Sequence, residues 1–209
     1  MLGRDEDRQV GFTLIELLLA IVILGIIIVP VTGMVIAYFR DTTQTTLRLN
    51  ESHDAQVVST YWEQDVSSIG VRGAFDSTQQ TFPLQQSVNT SFGCGVPSGV
   101  SAPFVVLAWN TFDASGNATL INVGYSTASS GTQLVRLLCT AGTLTSNKVI
   151  AKELNATPTV TCAGTAGSSC TGTGANVPAK VTLSLAIRDP ADTTSPYSVA
   201  LDGQRRQST

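Results

Sequence analysis

Residues 8–40, RQVGFTLIELLLAIVILGIIIVPVTGMVIAYFR, constrain this chain more than any other stretch. Leu17 to Val35 is nineteen consecutive residues without a charge, and the apolar run reaches from Leu14 to Ala37 with Glu16 as its one ionisable residue. As an α-helix those 24 residues measure about 36 Å, enough to cross a hydrocarbon core of about 30 Å. Tyr38 and Arg40 stand where interfacial anchors belong. Pro30 removes a backbone donor, so a kink or local loosening is expected there. A secretory signal peptide has a basic start, a short apolar core and a small-x-small cleavage site. Here the run is too long, MLGRDEDR holds three acids against two arginines, and no Ala-x-Ala follows. The segment reads as a membrane anchor. Glu16 is its expensive residue, because a carboxylate at lipid depth costs several kcal/mol unless paired, and such residues are functional by default.

The rest of the chain must be consistent with an anchor. Of 209 residues, roughly 170 remain, enough for one domain with its own core. Net charge is -3 and only 13% of residues are charged. The twelve Lys and Arg are scattered, so no basic stripe exists and nucleic acid is not expected as a direct partner. Cys94, Cys139, Cys162 and Cys170 all follow the apolar run. An even count on one side of a membrane suits disulfides in an oxidising compartment. Four cysteines allow three pairings. Cys162 and Cys170 are close enough in sequence to close a small loop, which leaves Cys94 with Cys139; pairing of either with Cys94 or Cys139 is the alternative. There is no CxxC and His53 is the single histidine, far away in sequence, so neither a metal nor a cofactor is expected. Arginines near the span are balanced, Arg4 and Arg8 against Arg40 and Arg48. The cysteines decide the topology: N-terminus cytoplasmic, C-terminal part extracellular.

Residues 41–69 contain no Gly or Pro, and Val58, Trp62, Val66 and Ile69 recur at spacings of four, four and three. That pattern is an amphipathic helix continuing from the span. The threonines at 42–46 lower helix propensity and predict a weak point. Unbroken from Phe12 to Ile69, the helix would reach about 87 Å. Gly70 and Gly73 end it. Strand candidates follow at 104–109, 119–126, 132–139, 180–187 and 197–201, with turns at 113–117 and 128–131. In 180–187, Val181, Leu183, Leu185 and Ile187 alternate with polar or small residues, which is a sheet with one covered face. Residues 155–178 hold almost no large apolar side chain and read as a surface loop. The fold class is therefore α+β: a long N-terminal helix, membrane-spanning in its first half, packed on an antiparallel β-sheet.

The stretch GFTLIELLLAIVIL, with a glycine, a phenylalanine and a glutamate four residues further on, resembles the N-terminus of type IV prepilins and pseudopilins. The resemblance implies cleavage by prepilin peptidase between Gly11 and Phe12 on the cytoplasmic face, and N-methylation of Phe12. It also implies an assembly role for Glu16, whose carboxylate a neighbouring subunit's amino terminus would neutralise. The expected organisation is a cleaved leader 1–11, a transmembrane helix 12–40, its amphipathic continuation 41–69, and an extracellular β-rich domain 70–209 with cysteine-bearing loops. A looser likeness, carried by Trp62, Asp65, Leu134, Val135, Arg136 and Arg206, is to J-type minor pseudopilins of type II secretion. A minor pilin of a Gram-positive type IV or competence-like system is the other subtype.

These features describe a non-enzymatic structural subunit. Its implied partners are other pilin or pseudopilin subunits, the prepilin peptidase, the inner-membrane assembly platform and the lipid bilayer, with final residence in the cell membrane and then the filament. A catalytic triad would have to use His53, and no P-loop or dinucleotide fingerprint occurs. The competing reading is a membrane-anchored or pilus-tip adhesion module. An exposed aromatic cluster in 70–102 or 155–178 would favour it, and those segments hold only Phe75, Phe82 and Phe92.

Overall fold

The computed structural model describes residues 13–164, 167, 169–192 and 195–206. Helix α1 spans Leu14–Ser68, 55 residues. Nine strands follow: β1 (Val71–Arg72), β2 (Leu84–Gln85), β3 (Val105–Phe112), β4 (Ala118–Ala128), β5 (Gln133–Thr140), β6 (Thr143–Ala151), β7 (Thr159–Ala163), β8 (Lys180–Ile187) and β9 (Tyr197–Gln204). The chain divides into two compact units, Met1–Thr46 and Leu47–Thr209.

In the first unit, every described residue from Thr13 to Thr43 is exposed. Helix α1 continues through Pro30. It also continues through the threonine cluster, where a weak point was expected. The hydroxyls of Thr42, Thr43 and Thr46 donate to the carbonyls of Tyr38, Phe39 and Thr42, at 2.8–2.9 Å. Each threonine thus satisfies its polar group within the helix rather than competing for non-helical backbone.

In the second unit, the later turns of α1 lie on antiparallel sheet. Val58, Trp62, Val66 and Ile69 are fully buried, as the four-four-three spacing predicts. They share one core with Leu107, Val123 and Leu134 from one sheet and Val181, Leu183 and Ile187 from another. Strands β3 to β6 form a meander in chain order, and β7, β8 and β9 form a second antiparallel sheet. The Leu154–Ile187 bridge and the Asn155 N–H to Ala186 carbonyl bond link them. A smaller cluster of Phe92, Val106, Val135, Leu137 and Cys139 covers the opposite face of the meander.

Two glycines fix how helix meets sheet. Gly70, at φ 148°, turns the chain out of α1 into β1. Gly203 of β9 lies so close to Val66 that a Cβ would come within 2.4 Å of the valine Cβ. Only glycine lets the last strand approach the helix this closely.

The reading of 155–178 as loop needs correction. Thr159–Ala163 is β7, paired with Lys180–Ser184 of β8. Its polar Thr-Val-Thr-Cys-Ala sequence is that of a short edge strand, which needs little apolar surface because one neighbour supplies its ladder.

Candidate assembly segment and its supporting clamp

Gly11 and Phe12 lie outside the described residues. Glu16 is described, in the first turn of α1. The Thr13 N–H donates to its Oε2 at 3.0 Å, and the Thr13 hydroxyl donates to the same oxygen at 2.9 Å. The Glu16 N–H returns a longer bond to Thr13 Oγ1 at 3.4 Å. Thr13-Leu-Ile-Glu16 is a capping box: the threonine caps the helix and the glutamate three residues on satisfies the cap's own N–H. The carboxylate also sits where the helix dipole favours negative charge. From sequence, Glu16 reads either as a residue paired with a neighbouring subunit's amino terminus or as one held at the headgroup level, and neither reading includes Thr13. The signal for this local role was the Thr-x-x-Glu spacing immediately before the apolar run.

The segment that follows has the chemistry of a lipid-facing helix. Leu17, Ile21, Leu24, Ile28 and Val35 are all about half exposed or more, and no other part of this unit covers them. This stretch is long and apolar enough to cross a membrane. The Thr32 hydroxyl donates to the Ile28 carbonyl at 2.8 Å, so the one polar side chain in mid-segment is satisfied internally.

The second unit is held to its helix by a buried charge cluster. Asp65 is 1% exposed. Arg136 of β5 grips it with two bonds, Nε to Oδ2 and Nη2 to Oδ1, both 2.7 Å. The Tyr125 hydroxyl of β4 donates to Oδ2 at 2.7 Å. Tyr125 packs edge-on against Trp62 at 5.0 Å, and the indole N–H of Trp62 donates to the Val181 carbonyl of β8. Helix and both sheets therefore meet at Trp62 and Asp65. Burial, reinforced by the charge and hydrogen bond of Asp65, pushes the Tyr125 hydroxyl well above its ordinary pKa. Burial opposes the charge on Arg136, yet the Asp65 hydrogen bond and charge hold its pKa above the ordinary value.

A second clamp binds the β8–β9 connection to α1. Arg48 meets Glu51 at 3.0 Å and buried Asp192 at 3.1 Å, and also donates to the Ser195 carbonyl at 2.6 Å. Glu51 in turn accepts from the Asp189 N–H. The depression beside this clamp is lined by Asp54, Lys152, Glu153 and Asp189 among others. Glu51 lines it too, and three of its four carboxylates are already used: Glu51 by Arg48 and the Asp189 N–H, Asp54 by the Lys152 N–H and Asp189 by the Ala191 N–H.

The structure joins Cys94 to Cys139 and Cys162 to Cys170. The first bond ties the segment before β3 to the end of β5. The second closes the turn after β7. His53 is exposed on α1, and no group of three or more metal-ligating side chains occurs among the described residues. Asp65 and Arg136 come together, while Arg206 lies apart from them and bonds through its N–H to the Ser67 carbonyl. The roles of Tyr125, Arg48 and Asp192 were missed from sequence: Tyr125–Asp65 and Arg48–Asp192 are far apart along the chain, while Arg48–Glu51 is an i, i+3 pair that helical spacing could have shown.

Residues 8–32 match the family model described as the prokaryotic N-terminal methylation motif, the signature of type IV prepilins and pseudopilins. No match is found among curated proteins. A prepilin-type N-terminal segment leading into a helix packed on antiparallel sheet is the architecture of a pilin-type structural subunit.

Proposed function

We propose that this chain is a minor structural subunit of a type IV pilus or type II secretion pseudopilus, held first in the membrane and then in the filament by the N-terminal half of α1. The observation that carries this reading is the pairing of a prepilin motif over residues 8–32 with an uncovered apolar helix directly behind it. Prepilin peptidase removes residues 1–11 and Phe12 becomes the methylated amino terminus. Residues 12–40 cross the bilayer, 41–69 continue the helix, and 70–209 form the extracellular domain. That domain carries cystines as export to an oxidising compartment requires.

In this reading Glu16 has two successive roles. In the isolated subunit it is satisfied by Thr13. During assembly its charge attracts the Phe12 ammonium of a neighbouring subunit, which sets the register between helices. Exchange for leucine leaves the span apolar, so membrane insertion persists. The expected phenotype is a subunit that is exported but poorly recovered in filaments, measured as the filament-to-membrane ratio with other subunits wild type. A glutamine variant separates charge from hydrogen bonding: loss points to the ion pair, recovery to the hydrogen bond. Wild-type incorporation of Glu16→Leu would defeat the assembly role.

One observation favours the adhesion reading as a second function of the same subunit. Phe75 and Phe82 are each more than half exposed, with ring centres 5.2 Å apart. Their loop is held by paired Asp76–Thr81 backbone bonds and by Arg72 on the Phe82 carbonyl. A fixed aromatic pair loses little entropy on binding. Alanine at both positions should abolish any surface attachment and leave filament incorporation intact.

A further inference from the structure

The chain contains four Asn-x-Ser/Thr triplets, at Asn50, Asn89, Asn117 and Asn155. Such a triplet accepts an N-linked glycan when the asparagine amide is accessible and the backbone can be gripped in a transferase groove. The structure sorts the four. Asn50 lies inside α1, where backbone groups are committed to the helix and the next residue, Glu51, is buried. Asn89 sits in the left-handed region at φ 54°, with its N–H donating to the Val106 carbonyl and its own carbonyl held by Gln86. Asn117 has already committed its amide: Nδ2 donates to Asp113 Oδ2 at 2.9 Å.

Asn155 shares a bonded N–H with Asn89 but differs in its side chain and in the two residues that follow it. Asn155, Ala156 and Thr157 are all exposed, on the connection between β6 and β7. The Asn155 N–H donates to the Ala186 carbonyl, which pins its Cα, but its side-chain amide makes no hydrogen bond among the described residues. The backbones of Ala156 and Thr157 are likewise uncommitted among the described residues. Two residues before the asparagine stands Glu153, and none of the other three triplets has an acid there. Beside Asn155 lies a shallow depression of about 390 Å³ on the outer face of β8 and β9. Most of its lining residues are small, among them Ala156, Thr157, Ser184 and Ser198, with Leu185 and Val199 between them.

We propose that Asn155 is an acceptor for N-linked glycosylation of the exported domain, with Thr157 as the hydroxyl residue the transferase reads and Glu153 as an ionic handle for it. The co-reactant is an oligosaccharide carried on a polyprenyl diphosphate. The bond from Asn155 Nδ2 to the sugar C1 forms as the C1–O bond to the diphosphate breaks. The polyprenyl diphosphate leaves with the bonding electron pair, and the amide proton passes to a base of the transferase. The inference requires export of the domain but no particular filament.

The test is production of the full chain in a bacterial envelope supplied with a membrane oligosaccharyltransferase and its lipid-linked donor. An acceptor protein known to be modified in the same cells serves as control. Intact mass and glycopeptide mapping should find one glycan, on Asn155. Asn155→Gln and Thr157→Ala should each return the protein to its polypeptide mass, Glu153→Gln should lower occupancy severalfold, and Asn117→Gln should leave it unchanged. All four substitutions are at exposed or half-exposed positions, so folded yield is preserved and is checked by the wild-type disulfide pattern. An unmodified wild-type chain beside a modified control, or a glycan that persists in Asn155→Gln, would overturn the proposal.

Discussion

The two ends of α1 share one backbone conformation and almost nothing else. From Leu14 to Phe39 its large apolar side chains are exposed, and the polar side chains among them are satisfied by the helix itself. From Glu51 to Val66, one stripe is buried, and its polar members reach across to sheet. Local hydrogen bonding is the same in both. What differs is the medium that receives the side chains: lipid for the first, a protein core for the second. In lipid every face can be apolar and no particular contact is required. In the core each residue has a specific neighbour, so the stability of the domain depends on single side chains of the second half and not on apolar ones of the first.

That contrast is broken most directly by truncating one large side chain in each half. Trp62→Ala should destabilise the domain by about 3–5 kcal/mol, read from urea unfolding of the full chain in mild detergent. Leu24→Ala, in the anchor, should leave the same transition unmoved. Equal shifts from the two would show that the halves are not energetically distinct.

Asp65 sharpens the comparison with Glu16. Both are acids on one helix, Glu16 at the start of the apolar run and Asp65 buried on the stripe that faces the core. Asp65→Ala strands Arg136 and the Tyr125 hydroxyl in the core, a loss of about 3–5 kcal/mol for a broken buried pair. Asp65→Ala with Arg136→Leu should recover part of it, because no charge is then left unpaired. Additive losses would remove the pairing from the account.

The two cystines should differ by loop size. Removing Cys94–Cys139, which spans 45 residues, should cost up to about 4 kcal/mol. Removing Cys162–Cys170, which spans 8, should cost up to about 2.5 kcal/mol. Reversed order would mean that the smaller ring anchors more structure than its position after edge strand β7 suggests.

The smallest effect is at alkaline pH. The folded-state pKa of Tyr125 lies above its unfolded value of about 10, so its contribution is complete below that pH and fades as pH rises toward the folded value. Tyr125→Phe should flatten the fall in stability above pH about 10. An unchanged slope would remove Tyr125 as its source.

Periodicity made much of the fold legible. The stripe Val58, Trp62, Val66 and Ile69 is buried as spaced, and the alternation in β8 matches its covered face. Strand β6, with Thr-Ser-Asn-Lys at its centre, was invisible because an edge strand with an exposed face needs no apolar alternation. Strand β7 was hidden for the same reason. Asp65 and Arg136 were singled out only by the looser family likeness, and their contact spans 71 residues, so no local pattern encodes it. The anchor was the most legible part, since lipid asks for composition rather than partners.

The central claim is that the anchor is a prepilin segment, matured before it joins a filament. Intact mass spectrometry of the protein recovered from its native host tests this most directly. The account predicts a chain shortened by eleven residues that begins with N-methylated Phe12. A protein that still begins at Met1, or one cut beyond residue 30, would contradict it.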